Sequence, residues 1–220
     1  MKNRYPIINP HTSILKFENY TVKPERQSPK TTHSNQLRII AGLWRGRKLN
    51  FPEVEGLRPT GDRIRETLFN WLAPEIQGAR CLDLFAGSGA LGIEALSRGA
   101  SISVMVERDT KAATQLRDNL DLLHAEAGRI IRDDALCLLK KGNQDEPYHI
   151  VFIDPPFQLN LWQAVIDALE MGNWLADNAT IYIESGRDND FQPPINWQLH
   201  RDKHAGAVSY RLFYREQLNN

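Results

Sequence analysis

From residue 80 onward the chain alternates between short apolar runs of strand length and stretches of helical period, and no other feature narrows the fold so far. Residues 80–85 (Arg-Cys-Leu-Asp-Leu-Phe) read as a buried strand, and after a glycine loop residues 90–98 read as a helix stopped by Gly99. Residues 101–107, 128–132, 148–154 and 180–184 read as further strands, with helices expected at 110–123, 134–141 and 161–171 between them. Strands separated by helices of about ten residues require right-handed crossovers, a mostly parallel sheet and helices on both faces. The end changes character: residues 197–203 and 207–214, joined across Ala205-Gly206, predict an antiparallel hairpin at the sheet edge and bring the strand count to seven.

Three segments are expected. Residues 1–36 mix Pro6, Pro10, Pro24 and Pro29 with polar residues and show no sustained period, which predicts a flexible basic arm. Residues 37–73 predict a hairpin and a helix. Residues 37–41 and 47–51 flank Gly42-Leu43-Trp44-Arg45-Gly46, and from Asp62 the apolar positions Ile64, Leu68, Trp71 and Leu72 oppose Arg63, Arg65 and Glu66 until Pro74 ends the pattern. Residues 74–220 form the α/β domain. Residues 1–72 hold 13 Lys/Arg and 6 Asp/Glu, leaving 14 and 21 of the chain's 27 and 27 for the remainder. A cationic front on an acidic body predicts a polyanionic partner gripped by one end.

Composition removes other classes. With 41% hydrophobic and 25% charged residues the chain is neither collagenous nor disordered throughout, and its apolar runs are far shorter than the roughly 20 residues a bilayer demands. The N-terminus lacks an apolar run of signal-peptide type, and Cys81 and Cys137, each inside an apolar stretch, read as buried free thiols. A reducing cytoplasm is expected.

In an open parallel sheet, ligands bind beyond the carboxyl ends of the strands. The end of the first strand runs Asp83-Leu84-Phe85-Ala86-Gly87-Ser88-Gly89-Ala90-Leu91-Gly92, with glycines at the G-x-G-x-x-G spacing. Such a loop suits NAD, FAD or S-adenosylmethionine alike. Asp83 would repel a pyrophosphate but could hold an amino-acid ammonium, whereas Glu107, placed to accept both ribose hydroxyls, fits every one of these ligands. Asp134 lies within reach of an adenine amino group and also at the N-cap of a short helix. Asp154-Pro155-Pro156-Phe157 directly follows Ile150-Val151-Phe152-Ile153. The prolines remove two N–H groups and leave carbonyls to accept hydrogen bonds from elsewhere. A carboxylate and a carbonyl converging on one point suit a planar NH₂ group, and Phe157 offers a face for a stacked base.

These motifs resemble those of class I, Rossmann-like S-adenosylmethionine-dependent methyltransferases. Arg38-Ile39-Ile40-Ala41-Gly42, Trp44-Arg45-Gly46-Arg47-Lys48-Leu49, Leu57-Arg58-Pro59-Thr60 and residues 62–72 more closely resemble the bacterial 16S ribosomal RNA guanine-N2 methyltransferases of the RsmD family, over about residues 37–215. The resemblance implies methyl transfer from S-adenosylmethionine to the N2 amine of one guanine in the small-subunit RNA, by a cytoplasmic monomer acting on 16S rRNA or an assembly intermediate, with no metal and no membrane. It implies Asp154, Pro155 and Phe157 as catalytic residues. Asp83, Phe85, Gly87, Gly89, Glu107, Arg108, Asp134 and Ala135 would hold the cofactor, and Arg38, Arg45, Arg47, Lys48, Arg58, Arg63 and Arg65 would meet RNA phosphates. Arg65 and Glu66 could instead pair locally or line the cofactor pocket, and Trp44 could pack under the hairpin or stack on a base. Three other readings stay open: a DNA adenine-N6 methyltransferase, an NAD-dependent oxidoreductase, and a non-catalytic RNA-binding assembly factor.

Overall fold

The computed structural model describes residues 35–53 and 61–217. A two-stranded antiparallel ribbon comes first, β1 (Asn35–Arg38) against β2 (Lys48–Phe51), followed by helix α1 (Asp62–Trp71). The main sheet contains β3 (Arg80–Asp83), β4 (Ile102–Val106), β5 (Gly128–Ile131), β6 (Tyr148–Ile153), β7 (Leu175–Gly186), β8 (Trp197–Ala205) and β9 (Val208–Arg215). Its order is β5-β4-β3-β6-β7-β9-β8, parallel from β5 to β7 and antiparallel at β9 and β8. Helices α2 (Gly92–Ser97), α3 (Thr110–Leu123), α4 (Ala135–Leu139) and α5 (Trp162–Met171) connect the strands. This is the expected α/β architecture with seven strands and a terminal hairpin. Among the described residues no helix is long and apolar enough to cross a membrane.

Continuous apolar strands bury both faces of the sheet, and alternation along each strand sorts side chains between two cores. Leu82, Val104, Val151, Ile153, Ile181 and Ile183 face Trp162, Val165, Ile166 and Leu169 of α5. Cys81, Ile150, Phe152, Tyr182 and Leu212 face Leu68 and Phe69 of α1, Leu72 at its end, Leu91 at the start of α2 and Ala95 within it. Local signals set the helix ends. Asp109 caps α3 by accepting from Lys111 N and Ala112 N, both at 2.9 Å, and His124 ends it in the left-handed conformation.

Several boundaries differ from expectation. Helix α2 is shorter than residues 90–98, because the chain is still turning through the glycine loop until Gly92. Strand β7 begins at Leu175, not 180, and rejoins β6 after an irregularity between Tyr148 and Ile150. Residues 35–36, expected in the arm, pair with Asn50 and Phe51 in the ribbon. The first 34 residues of the arm, and Arg58 with its Leu57-Arg58-Pro59-Thr60 motif, lie outside the described residues. Cys81 is buried, but Cys137 is exposed because it falls on the outer face of α4.

The predicted face of α1 packs inward, with Leu68 and the following Leu72 fully buried and Ile64 and Trp71 partly so, but the buried face is wider than predicted. Its buried residues are Arg65, Leu68 and Phe69, and Trp71 is only half-buried, stacked on Tyr210 with ring centroids 5.7 Å apart. Arg65 is 0% exposed, so it does not contact phosphates; the local pairing is what the structure contains. Its guanidinium donates to Asp62 Oδ1 at 2.6 Å and to the Arg38 carbonyl at 3.0 Å, and lies 3.8 Å from Glu94 Oε2. These partners are what permit the charge to be buried.

Glu94 on α2, itself buried, docks the ribbon. Its two oxygens accept the backbone N–H groups of Ile40 (2.8 Å) and Ala41 (3.0 Å), and Arg98 Nε donates to Oε1 at 2.8 Å. Ser97 completes the contact: its carbonyl accepts from Leu43 N at 2.7 Å, while its hydroxyl accepts from Trp44 N and donates to the Ala41 carbonyl. Gly42 is required here. It has φ +82°, and a Cβ at this position would penetrate the Ser97 backbone. Ile39, Leu49 and the half-buried Trp44 then pack on Ile93, Leu96 and Leu116, so Trp44 sits under the ribbon and Leu43 is the exposed apolar residue at its tip.

Candidate active site

The strand order reverses between β3 and β6: successive connections run outward to β4 and β5 on one side and to β7 on the other. A cavity of about 500 Å³ opens at the carboxyl ends of these strands. Such a topological switch point is where an open α/β sheet leaves room for a ligand. Asp83, Phe85, Gly87, Glu107, Arg108, Asp134, Ala135, Asp154, Pro155 and Phe157 all line it, so the structure brings together every predicted catalytic and cofactor residue except Gly89. Gly89 lies behind the loop, where a Cβ would come within 2.6 Å of Ile93 Cδ1 and Leu116 Cδ2. The absence of a side chain there lets Ile93 and Leu116 pack close to the loop.

The loop is held in shape by the same carboxylates that face the cavity. Asp83 Oδ2 accepts the Gly92 N–H at 3.0 Å and thereby ties the start of α2 to the end of β3. Gly92 must lack a side chain because a Cβ would stand 2.6 Å from Met105 Sδ on β4, so helix and strand meet closely. Glu107 Oε2 accepts Gly87 N at 2.9 Å and Oε1 accepts Asp109 N at 2.7 Å, which fixes the carboxylate at the cavity wall. Asp134 both caps α4, accepting Cys137 N at 3.1 Å, and lines the cavity, so the cap does not take it away from the site.

Electrostatics follow from burial. Asp83 is 2% exposed, and its carboxyl is pushed up from 3.8 to about 7, mainly by desolvation. The Gly92 and Phe85 amides oppose that rise, and the charge of Glu107 adds to it. Burial, with Asp83 alongside, likewise pushes the Cys81 thiol up, which leaves it inert as a nucleophile. At the other rim, Pro155 is buried and Phe157 is 38% exposed in a short 3₁₀ turn (Phe157–Leu159) that follows the prolines. The Phe157 ring rests on Trp162, centroids 5.7 Å apart and planes at 59°.

Sequence reasoning missed Glu184, which also lines the cavity and is buried at the end of β7. The signal was available, because Glu184 ends an apolar strand as Glu107 and Asp154 do. Its companion Tyr182 donates its phenol to Glu184 Oε2 at 3.0 Å. Burial, then the charges of Glu184 and Asp154, raise this phenol well above its ordinary range. Among the described residues, the cavity wall thus carries seven carboxylates (Asp83, Glu107, Asp109, Asp133, Asp134, Asp154, Glu184) and one cation, Arg108. Such a wall repels pyrophosphate and favours a ligand bearing ammonium or sulfonium charge, hydroxyls and amino groups.

Outside the cavity, Arg38, Arg45, Arg47, Lys48 and Arg63 are exposed on the ribbon and the first turn of α1. Arg47 also donates to the Leu122 carbonyl at 3.2 Å.

A family model described as "Conserved hypothetical protein 95" matches residues 37–214, which spans the docked ribbon and the whole sheet. The chain belongs to that family. Family members in two organisms are similar over nearly their full lengths. The chain is 52% identical over 192 residues to "Ribosomal RNA small subunit methyltransferase D" of Escherichia coli (strain K12), covering 86% of this chain and 96% of that protein. It is 49% identical over 180 residues to the protein of the same name from Haemophilus influenzae, covering 81% and 93%. A solved structure titled "Putative methyltransferase yhhF from Escherichia coli" superposes with a TM-score of 0.75 at 53% identity, covering 83% of this chain and 99% of that one. The family is therefore the RsmD family that the motifs resembled, and the fold is that of its Rossmann-like members.

Proposed function

We propose that the protein transfers a methyl group from S-adenosylmethionine to the exocyclic N2 amine of a guanine in 16S rRNA, acting in the cytoplasm as a monomer on the small subunit or its assembly intermediate. The observation that carries this reading is the composition of the cavity wall, with seven carboxylates against one arginine among the described residues, beside an Asp-Pro-Pro-Phe rim. The similar proteins named as small-subunit RNA methyltransferases support it.

The donor set fits S-adenosylmethionine. Asp83 would face the amino-acid ammonium, Glu107 the ribose hydroxyls and Asp134 the adenine amine, with Phe85, Arg108 and Ala135 completing the wall. When bound, the cofactor supplies an activated methyl on a sulfonium, so the chain's task is alignment. Asp154 and the Pro155 carbonyl accept the two hydrogens of the amine and point the nitrogen lone pair at the methyl carbon. Phe157 stacks the base, an interaction worth about 1–3 kcal/mol in nucleic-acid complexes. Asp154, or water, would take up the proton that the amine loses on methylation. The seven carboxylates disfavour an NAD-dependent oxidoreductase, because a dinucleotide would set its pyrophosphate against them.

Two outcomes test the assignments. An ammonium beside Asp83 favours its charged form, so cofactor binding near pH 7 must expel the proton that burial retains. Calorimetry with S-adenosylhomocysteine in buffers of different ionisation enthalpy should show release of roughly half a proton at pH 7 and almost none from this group at pH 8.5. Equal heats in all buffers at pH 7 would place the ammonium elsewhere. In the unliganded protein the same raised carboxyl stabilises the fold at low pH, and that contribution is lost as pH rises from 3.8 through about 7.

The second concerns the RNA. Replacing Arg45, Arg47 and Lys48 together by alanine should weaken RNA binding and reduce the slope of log K against log [salt] by about 2, since each phosphate contact to a single strand contributes roughly 0.7. An unchanged slope would locate the RNA on another face.

A further inference from the structure

β6 and β7 run parallel with Ile153 opposite Ile183, so the residues that follow them, Asp154 and Glu184, stand side by side at the same level of the cavity. Glu184 is held firmly. Tyr182, two residues earlier on the same strand face and 0% exposed, gives its phenolic hydrogen to Glu184 Oε2 at 3.0 Å. Trp162 Nε1 donates to the Glu184 carbonyl at 2.8 Å and fixes the backbone at this point. Two neighbouring carboxylates on one wall repel each other, so they favour a ligand that presents two neighbouring donors.

Among the bases, guanine presents that pair on its Watson–Crick edge: the N1–H beside the N2 amine. Adenine and cytosine carry an amine too, but the adjacent ring nitrogen is an acceptor whose lone pair a carboxylate repels. We infer that Glu184 is the specificity-determining residue of this site, accepting the guanine N1–H while Asp154 holds the N2 amine, with Tyr182 as its positioning residue. This rests on the methyltransferase reading above and deepens it from an amino-methylating site to a guanine-selecting one.

The test compares kcat/KM for guanine and for 2-aminopurine, which keeps the C2 amine but has an unprotonated N1. The substrate is small-subunit RNA, alone and reconstituted with subunit proteins, carrying either base at the position mapped from the wild-type product. The wild-type protein should prefer guanine by about 100-fold or more, as expected where a buried polar group would be left facing the wrong partner. Glu184→Gln should lose activity on guanine and narrow the ratio to within about tenfold, because its amide can donate to the unprotonated N1. Tyr182→Phe should lower kcat/KM on guanine less than Glu184→Gln and leave the base preference above tenfold. Melting temperature and S-adenosylhomocysteine affinity, unchanged in Glu184→Gln, separate this from unfolding.

If Glu184→Gln slows both substrates equally and keeps the wild-type ratio, or if the wild-type protein does not discriminate, Glu184 does not read N1–H and the inference is overturned. If the wild-type protein yields no N2-methylguanosine at all, the methyltransferase reading itself fails and takes this one with it.

Discussion

Asp154→Ala is expected to reduce methyl transfer to small-subunit RNA by about 10³-fold, the loss typical of removing a group that stabilises developing charge, while leaving S-adenosylhomocysteine affinity within a few-fold of wild type. The reason is a division of labour along the sheet. Asp83, Glu107 and Asp134 end or follow the strands on the β3-β4-β5 side, where the glycine loop lies; Asp154 ends β6 at the opposite rim, beside Phe157 and Glu184. On the proposed reading only the second group faces the acceptor base. Asp154→Asn should retain part of the activity, because its amide oxygen still accepts one hydrogen of the amine. Single-turnover transfer of tritiated methyl, paired with calorimetry on the same preparation, reads both quantities. A parallel collapse of cofactor affinity would mean that Asp154 belongs to the cofactor site.

The second large effect is on stability. Glu94→Ala removes the acceptor for Ile40 N, Ala41 N and Arg98 Nε and leaves the buried Arg65 guanidinium with only Asp62 and the Arg38 carbonyl. Removing one partner from a buried charged network typically costs about 3–5 kcal/mol. In a chain of this size that corresponds to a fall in Tm on the order of 10 °C. Glu94→Gln, which keeps one acceptor oxygen and the volume, should cost clearly less. Because the ribbon bearing Arg45, Arg47 and Lys48 hangs on Glu94 and Ser97, the alanine variant should also lose RNA affinity under conditions where it remains folded. Thermal unfolding within 2 °C of wild type would show that the ribbon is docked by its apolar contacts alone.

Glu94 also shows where sequence reasoning stops. Asp83, Glu107 and Asp154 were legible because each terminates an unbroken apolar strand, and in a doubly wound sheet strand ends converge whatever the intervening helices do. For Arg65 the sequence left solvent-facing and locally paired readings open, because Asp62 three residues earlier offers a partner without requiring burial. A residue that shares in its burial, Glu94, lies on another helix, 29 positions further along the chain. Glu184 carried the same signal as the other strand ends but was taken as the close of a strand, since β7 has no glycine or proline motif behind it. Gly89 fits the spacing of a ligand loop, yet its φ of +81° turns it toward Leu116, a contact set by how α3 packs.

The most direct measurement uses small-subunit RNA from cells lacking this protein, incubated with the purified protein and labelled S-adenosylmethionine, then digested to nucleosides for mass spectrometry. N2-methylguanosine at one position is the predicted product, absent when Asp154→Ala replaces the wild type. Label on a ring nitrogen, a carbon or a ribose hydroxyl would contradict a cavity built to present an exocyclic amine to the donor.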